Sequence, residues 1–234
     1  VAEIGSAAHW ILKTAKRKKS DLIVLTTHGG SPILRNTIGG TTERLLHSSD
    51  VPLLVVPSFV SVPPPSKIER IVVPLDGSEE SERILPLAAE VASRTDSELL
   101  LMHALVEADI TMVSNSRESA APEFLKSLRQ AVIHQWEEIE ERMRKRAQQI
   151  EKNGVWTRMF LDKGGVPEAI LQRAGEERAS LIAMSAHGYG AFKRMLLGSV
   201  ASRLLRKTPI PVLLARYGAL MNAPRQRSLV GTAG

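Results

Sequence analysis

The feature that most limits what this chain can fold into is a repeat. DLIVLTTHGGSPILRNTIGGTTERLLHSSDVPLLVV, Asp21 to Val56, lies without a gap over SLIAMSAHGYGAFKRMLLGSVASRLLRKTPIPVLLA, Ser180 to Ala215, at a constant offset of 159 residues. His28 falls on His187, Gly29 on Gly188, Gly39 on Gly198, and Arg44-Leu45-Leu46 on Arg203-Leu204-Leu205. The helical patterns in front align as well, with Ile11-Leu12 over Ile170-Leu171. A gapless duplication of this length means that one supersecondary unit is used twice.

Within each copy a short apolar run bounded by glycine reads as a buried strand of a parallel sheet. In the second copy that strand, LIAM, breaks into a loop bearing Gly188 and Gly190, and Gly198-Ser199 then opens the periodic run VASRLLRK. Glycines at a strand-to-helix crossing let backbone N–H groups come close to an anion. The helix start adds unpaired N–H groups and the positive end of its dipole, and Ser199 adds a hydroxyl. Chemically this is a phosphate cradle. It is not of the Walker type, because no Lys-Ser/Thr follows the glycines, and Gly188-x-Gly190 lacks the third glycine of a dinucleotide fingerprint. A glycine-rich connection in an ordinary α/β fold is the competing reading.

Only the second copy has a longer run of α/β pattern in front of it. KIERIVVPLDGS is a buried strand ending at Asp76-Gly77-Ser78, and Glu79 to Arg94 reads as one helix with Ile84, Leu87, Ala88 and Val91 inward. ELLLMHAL is the next strand, Glu107 to Ala121 a long polar loop, and Pro122 to Glu151 a long amphipathic helix. Leu125, Leu128, Val132, Trp136, Ile139, Met143 and Ile150 mark its apolar stripe; Glu138–Arg142, Glu140–Arg144 and Glu141–Lys145 are spaced for i,i+4 pairing. VWTRMFL and the helix of GGVPEAILQRAGEERA complete the run. This alternation predicts an open, five-stranded parallel α/β sheet flanked by helices with right-handed crossovers.

The first copy holds only the last two strands and their helices, one with Trp10, Ile11, Thr14 and Ala15 on one side and the short helix TTERLLHSS. Two strands rarely hold a fold in water, so this half is expected to lean on the second unit or a partner. The expected division is a partial unit over 1–60, a stiff proline linker over 61–66, a complete unit over 67–217 and a disordered tail over 218–234.

Composition removes several function classes. The chain has no cysteine, which excludes disulfides, thiolate metal sites and cysteine nucleophiles and suits a reducing cytoplasm. No apolar run approaches the roughly 20 residues of a membrane span. The net charge is +6, but the basic residues are dispersed apart from Lys16-Arg17-Lys18-Lys19 at a helix end, and no basic-aromatic alternation suggests base stacking. Neither a membrane nor a nucleic-acid partner is expected.

Gly188, nine residues, then Gly198-Ser199 resembles the G-x2-G-x9-G-S/T spacing of nucleotide-binding members of the universal stress protein family, here in a tandem arrangement with an incomplete first copy. Ser185 stands where that pattern has its leading glycine. In the first copy Thr26 stands there, Gly29 and Gly39 fit, and Gly40 replaces the Ser/Thr. The resemblance implies a Rossmann-like domain that binds ATP or AMP, with Mg²⁺ where triphosphate is bound. The implied site comprises Pro74, Leu75, Asp76, Ala104, Met184, Ser185, His187, Gly188, Gly198, Ser199 and Val200. Asp76 would contact the nucleoside, and backbone near Ala104 would line the adenine pocket. Thr26, His28, Gly29, Gly39 and Gly40 would form a degenerate half-site.

The carboxyl ends of adjacent parallel strands are where open α/β sheets bind ligands, which agrees with that placement. For Asp76 the competing role is a helix cap. His28 and His187 could donate to phosphate or simply pack to hold the loop. No metal-ligand spacing and no nucleophile-with-base pair is legible. The resemblance also implies dimerisation through the last strands, VPLLVV and IPVLLA, which could pair between chains or within this one. The alternative to nucleotide binding is an interaction module working through that pairing, and a slow ATPase is a third reading.

Overall fold

The computed structural model describes residues 6–27, 38–58, 66–105, 122–186 and 197–216. His28, Gly29, His187 and Gly188 lie outside these residues, as do the expected 107–121 loop, nearly all of the proline linker and the tail from 218.

The elements in chain order are α1 (Ala7–Lys18), β1 (Ile23–Thr26), α2 (Gly40–Ser48), β2 (Leu53–Val56), β3 (Arg70–Pro74), α3 (Glu79–Glu82), α4 (Leu85–Thr95), β4 (Glu98–Leu105), α5 (Pro122–Glu151), β5 (Thr157–Lys163), α6 (Val166–Glu176), β6 (Leu181–Ser185), α7 (Ser199–Lys207) and β7 (Val212–Ala215). All the strands join one sheet in the order β1-β2-β7-β6-β3-β4-β5. From β7 to β5 every neighbour is parallel, which is the expected five-stranded α/β sheet. β1 and β2 are parallel to each other, and β2 meets β7 antiparallel.

The register at that junction places Leu54 opposite Leu213, with Leu53 opposite Leu214 and Val55 opposite Val212. Leu54 and Leu213 are equivalent residues of the two repeats, so a pseudo-two-fold axis passes between them. Backbone bonds repeat with the same offset. Ser20 N–H donates to Ala15 and Ala179 N–H to Ala174; Thr27 N–H donates to Val56 and Ala186 N–H to Ala215. Gly39 N–H closes onto Thr27 as Gly198 N–H closes onto Ala186, each at 2.9 Å.

Two apolar clusters sandwich the sheet. One gathers Ala8, Leu45, Leu46, Ile170, Leu204 and Leu205 of α1, α2, α6 and α7 over Val55, Val72, Leu100, Ile182 and Leu214. The other gathers Ile84, Ala88, Ala92, Ile139, Met143 and Ile150 over Ile71, Val73, Leu101, Ala183 and Leu213. Helices of both repeats share the first cluster, which ties the first copy to the second.

Four expectations are corrected. The helix expected over Glu79–Arg94 breaks at Arg83-Ile84, because Pro86 has no N–H for the Glu82 carbonyl. Arg142 does not serve Glu138: it turns to Glu82, and Glu138 pairs with His134. Thr14 is exposed, and Ala8 and Leu12 take the inner face of α1 instead. β1 is an edge strand rather than a buried one; Leu22 is 41% and Val24 60% exposed. The repeat hid this, because β3, the neighbour that buries the equivalent β6, has no counterpart among the described residues of the first copy.

Candidate functional site

The carboxyl ends of β6, β3 and β4 lie side by side, and they carry most of the described candidate residues. β3 ends at Pro74, opposite Met102 of β4, and Leu75 N–H donates to the Met102 carbonyl at 2.8 Å. This extends the pairing by one residue and presents Asp76 at the sheet edge. Asp76 Oδ1 accepts from the Ser78 N–H (3.0 Å) and Ser78 hydroxyl (2.5 Å). Ser78, not Asp76, caps the short helix α3, by accepting from Ser81 N–H. The Asp76 side chain is exposed, held in a defined rotamer by an Asx turn rather than consumed as a cap.

Gly77 makes that turn possible. Its φ is +81°, and a Cβ there would lie 3.2 Å from Ile139 Cγ1 of α5. Gly77→Ala is therefore expected to lower stability by about 1–2 kcal/mol from backbone strain, with the close contact adding to it. Urea denaturation midpoints of the variant and parent chains measure this.

Two residues not anticipated from sequence brace the same turn. His103 Nδ1 lies 2.8 Å from the Leu75 carbonyl; a polar residue inside the otherwise apolar run ELLLMHAL was the available signal. Glu82, whose side chain is 8% exposed, accepts from Arg142 Nη2 (3.0 Å) and from Arg146 Nε and Nη2 (3.0 and 2.9 Å). This clamp pins the long helix α5 over α3. It joins residues about 60 positions apart, and no local pattern announces it.

On the neighbouring strand, Met184 and Ser185 are buried at the end of β6. Gly198 sits at the N-cap of α7, and among the described residues no side chain caps this helix. The Gly198 N–H is committed to the Ala186 carbonyl, so the donors that α7 offers an anion are those of Ser199, Val200 and Ala201, which have no carbonyl partner within the helix. Ser199 is exposed. A carboxylate at the end of β3 and a helix start that follows the neighbouring strand β6 can hold a polar head and an anionic tail of one ligand. Ala104 is buried at the end of β4, on the far side of Asp76.

The first repeat does not complete this edge. Because β2 is antiparallel to β7, the carboxyl ends of β1 and β2 point the opposite way, so Thr26, Gly39 and Gly40 lie at the other edge of the sheet. There the Thr26 carbonyl accepts from Thr42 Oγ1 at 3.0 Å, and among the described residues no strand equivalent to β3 lies beside β1. Among the described residues no group of three His, Cys, Asp or Glu is placed to hold a metal ion, and no helix is long and apolar enough to cross a membrane.

Fold and site together define an α/β protein of the doubly wound kind, with a polar site at the carboxyl edge of its parallel strands. The sequence matches the universal stress protein family over residues 1–57 and 67–216, and the chain belongs to that family. It is 30% identical over 148 residues to the universal stress protein YxiE of Bacillus subtilis, spanning 63% of this chain and 98% of that protein. It is 25% identical over 198 residues to a universal stress protein of Mycobacterium tuberculosis, spanning 85% of this chain and 62% of that one. The chain thus covers less than two thirds of that relative's length. Among solved structures, a universal stress protein from Archaeoglobus fulgidus superposes with a TM-score of 0.64 at 23% identity, over 89% of this chain and 66% of that one.

Proposed function

We propose that this chain binds one adenine nucleotide, ATP or AMP, at the carboxyl edge of β6, β3 and β4, and serves a regulatory role in a cytoplasmic stress response. The observation that carries this reading is the pairing of an exposed, turn-fixed carboxylate, Asp76, with the uncapped start of α7 on the same sheet edge. Asp76 accepts the ribose hydroxyls, backbone beside Ala104 faces the base, and Ser199 with the N–H groups of Val200 and Ala201 receives the phosphates. Pro74, Leu75, Met184 and Ser185 form the floor. His187 and Gly188 belong to the same site by their place in the motif. Mg²⁺ accompanies the triphosphate and is held by phosphate oxygens rather than by a protein cluster.

Native mass spectrometry with added ATP and Mg²⁺ tests this. One nucleotide per chain is expected in the parent protein and a marked loss in Gly198→Glu, which places a carboxylate where phosphate would sit. A second reading, an interaction module acting through its paired last strands, is favoured by Ser185 at the leading glycine position and by the internal β2–β7 pairing. A folded chain that takes up no nucleotide selects it. Turnover of bound ATP would select a slow ATPase instead.

A further inference from the structure

We propose that β5 pairs antiparallel with the β5 of a second copy of this chain, about a two-fold axis at Phe160, and joins two seven-stranded sheets into one. β5 ends the sheet on the side away from the first repeat, and among the described residues its one strand neighbour is β4. The edge is set by the interior of the chain, since β4 and α6 on either side of it belong to the second repeat's own unit. The bonds to β4 fix which groups face outward. The Trp156 carbonyl accepts from Leu99 N–H at 2.9 Å, and Gly164 N–H donates to the Leu105 carbonyl at 3.0 Å. Even-numbered residues of the strand therefore bond to β4, and the N–H and C=O groups of Thr157, Met159, Leu161 and Lys163 point away from it.

An antiparallel copy reaches those groups only in registers that set odd-numbered residues against odd-numbered ones. Centred on Phe160, Thr157 meets Lys163 and Met159 meets Leu161 in hydrogen-bonded pairs. Arg158 meets Asp162, and Phe160 meets its own copy, in the closer, non-hydrogen-bonded pairs. The two-fold axis makes the Arg158–Asp162 contact twice. Sliding the pair by two residues sets a charge against Phe160. Sliding it by four sets Arg158 against Arg158 or Asp162 against Asp162, and like charges directly opposite are destabilising. Charge therefore selects one register.

The side chains are placed for that register. Arg158, Phe160 and Asp162 share the face toward α6, where the Arg173 guanidinium lies 4.3 Å from the Phe160 ring centre and is forked on Asp162. Arg158 is half-exposed; its Nε and Nη2 serve Glu98 and Glu177, which leaves Nη1 for a partner's carboxylate. A carboxylate that holds one fork keeps further acceptor sites, so Asp162 can take that donor without releasing Arg173. On the opposite face Leu161 is 40% exposed, and pairing covers it with the partner's Met159. Trp156, 79% exposed, comes opposite the partner's Gly164, an aromatic–glycine pair across strands. Charges commonly guard an edge strand against chance pairing. Here they read positive, aromatic, negative along the strand, so they repel a slipped copy and accept the antiparallel one in register.

Sedimentation velocity of the whole chain, from about 10 µM to 1 mM, is expected to show a concentration-dependent dimer. Arg158→Asp leaves carboxylates at both charged positions, and Asp162→Arg leaves guanidinium groups at both. Each alone is expected to weaken the dimer at least about tenfold, and an equimolar mixture to recover it, because every contact is again between opposite charges. Leu161→Lys changes a side chain already open to water and is expected to melt like the parent while dimerising at least about tenfold less. Amide exchange read by NMR is expected to slow with concentration at Thr157, Met159, Leu161 and Lys163, while Arg158, Phe160 and Asp162, bonded to β4, are protected throughout. Should circular dichroism show that a charge variant fails to fold, Leu161→Lys and the exchange pattern decide. A chain that stays monomeric over this range, a dimer that Leu161→Lys or folded Arg158→Asp leaves intact, or a mixture of folded variants that does not recover would each overturn the proposal.

Discussion

Replacing Arg142 and Arg146 together by methionine should destabilise the protein by about 3–5 kcal/mol, whereas Glu82→Met should cost about 1 kcal/mol or less. The asymmetry follows from exposure. The Glu82 side chain is 8% exposed and the two arginines are 44% and 47% exposed. Remove the arginines and a buried carboxylate loses its charged donors, which is the costly outcome. Remove the glutamate and both guanidinium groups swing into water, while methionine fills the space. Guanidinium chloride denaturation of the three proteins measures the difference. Similar losses for both changes would show that Glu82 is better hydrated than its burial indicates. The clamp also fixes α5 beside the Asp76 turn, so the double arginine variant should weaken the proposed nucleotide binding even where it remains folded.

The same substitution at equivalent positions of the two repeats should give opposite results. Ala183→Asp buries a carboxylate at a site with 0% exposure among Ile84, Ala88 and Leu213, and is expected to cost about 4 kcal/mol or more, enough to leave the chain unfolded. Val24→Asp, at the matching position of β1, should stay within about 0.5 kcal/mol because the side chain already meets water. Thermal melts followed by circular dichroism separate the two. A large loss in Val24→Asp would mean that this face is already covered in solution.

Much of the fold was legible because the signals are local. Apolar runs, several of them bounded by glycine or proline, marked the described strands, and the stripe from Ile139 to Ile150 marked the face that α5 turns to the sheet. The repeat set the two copies over one another, and the family resemblance implied that VPLLVV and IPVLLA pair, between chains or within one; they meet within this chain at the antiparallel junction. What local pattern could not supply was who lies beside whom. β1 carries the same apolar run as β6, yet burial depends on a neighbour, β3, whose counterpart is not among the described residues of the first copy. The Arg142 partner was misassigned for a related reason. Spacing favoured Glu138, but a buried carboxylate more than 50 residues away has the larger electrostatic demand. In the candidate site, Asp76, Ser199 and the helix start were readable from motif and topology, whereas His103 and the role of Ser78 as the cap required the fold.

The proposed nucleotide site is single and lies in the second repeat. Calorimetric titration with ATP and Mg²⁺ of the parent chain, Asp76→Ala and Gly39→Glu tests it most directly. The account predicts one site per chain in the parent, an unchanged isotherm in Gly39→Glu, and affinity reduced at least about tenfold in Asp76→Ala. Two sites per chain, loss in Gly39→Glu, or full binding in Asp76→Ala would contradict it.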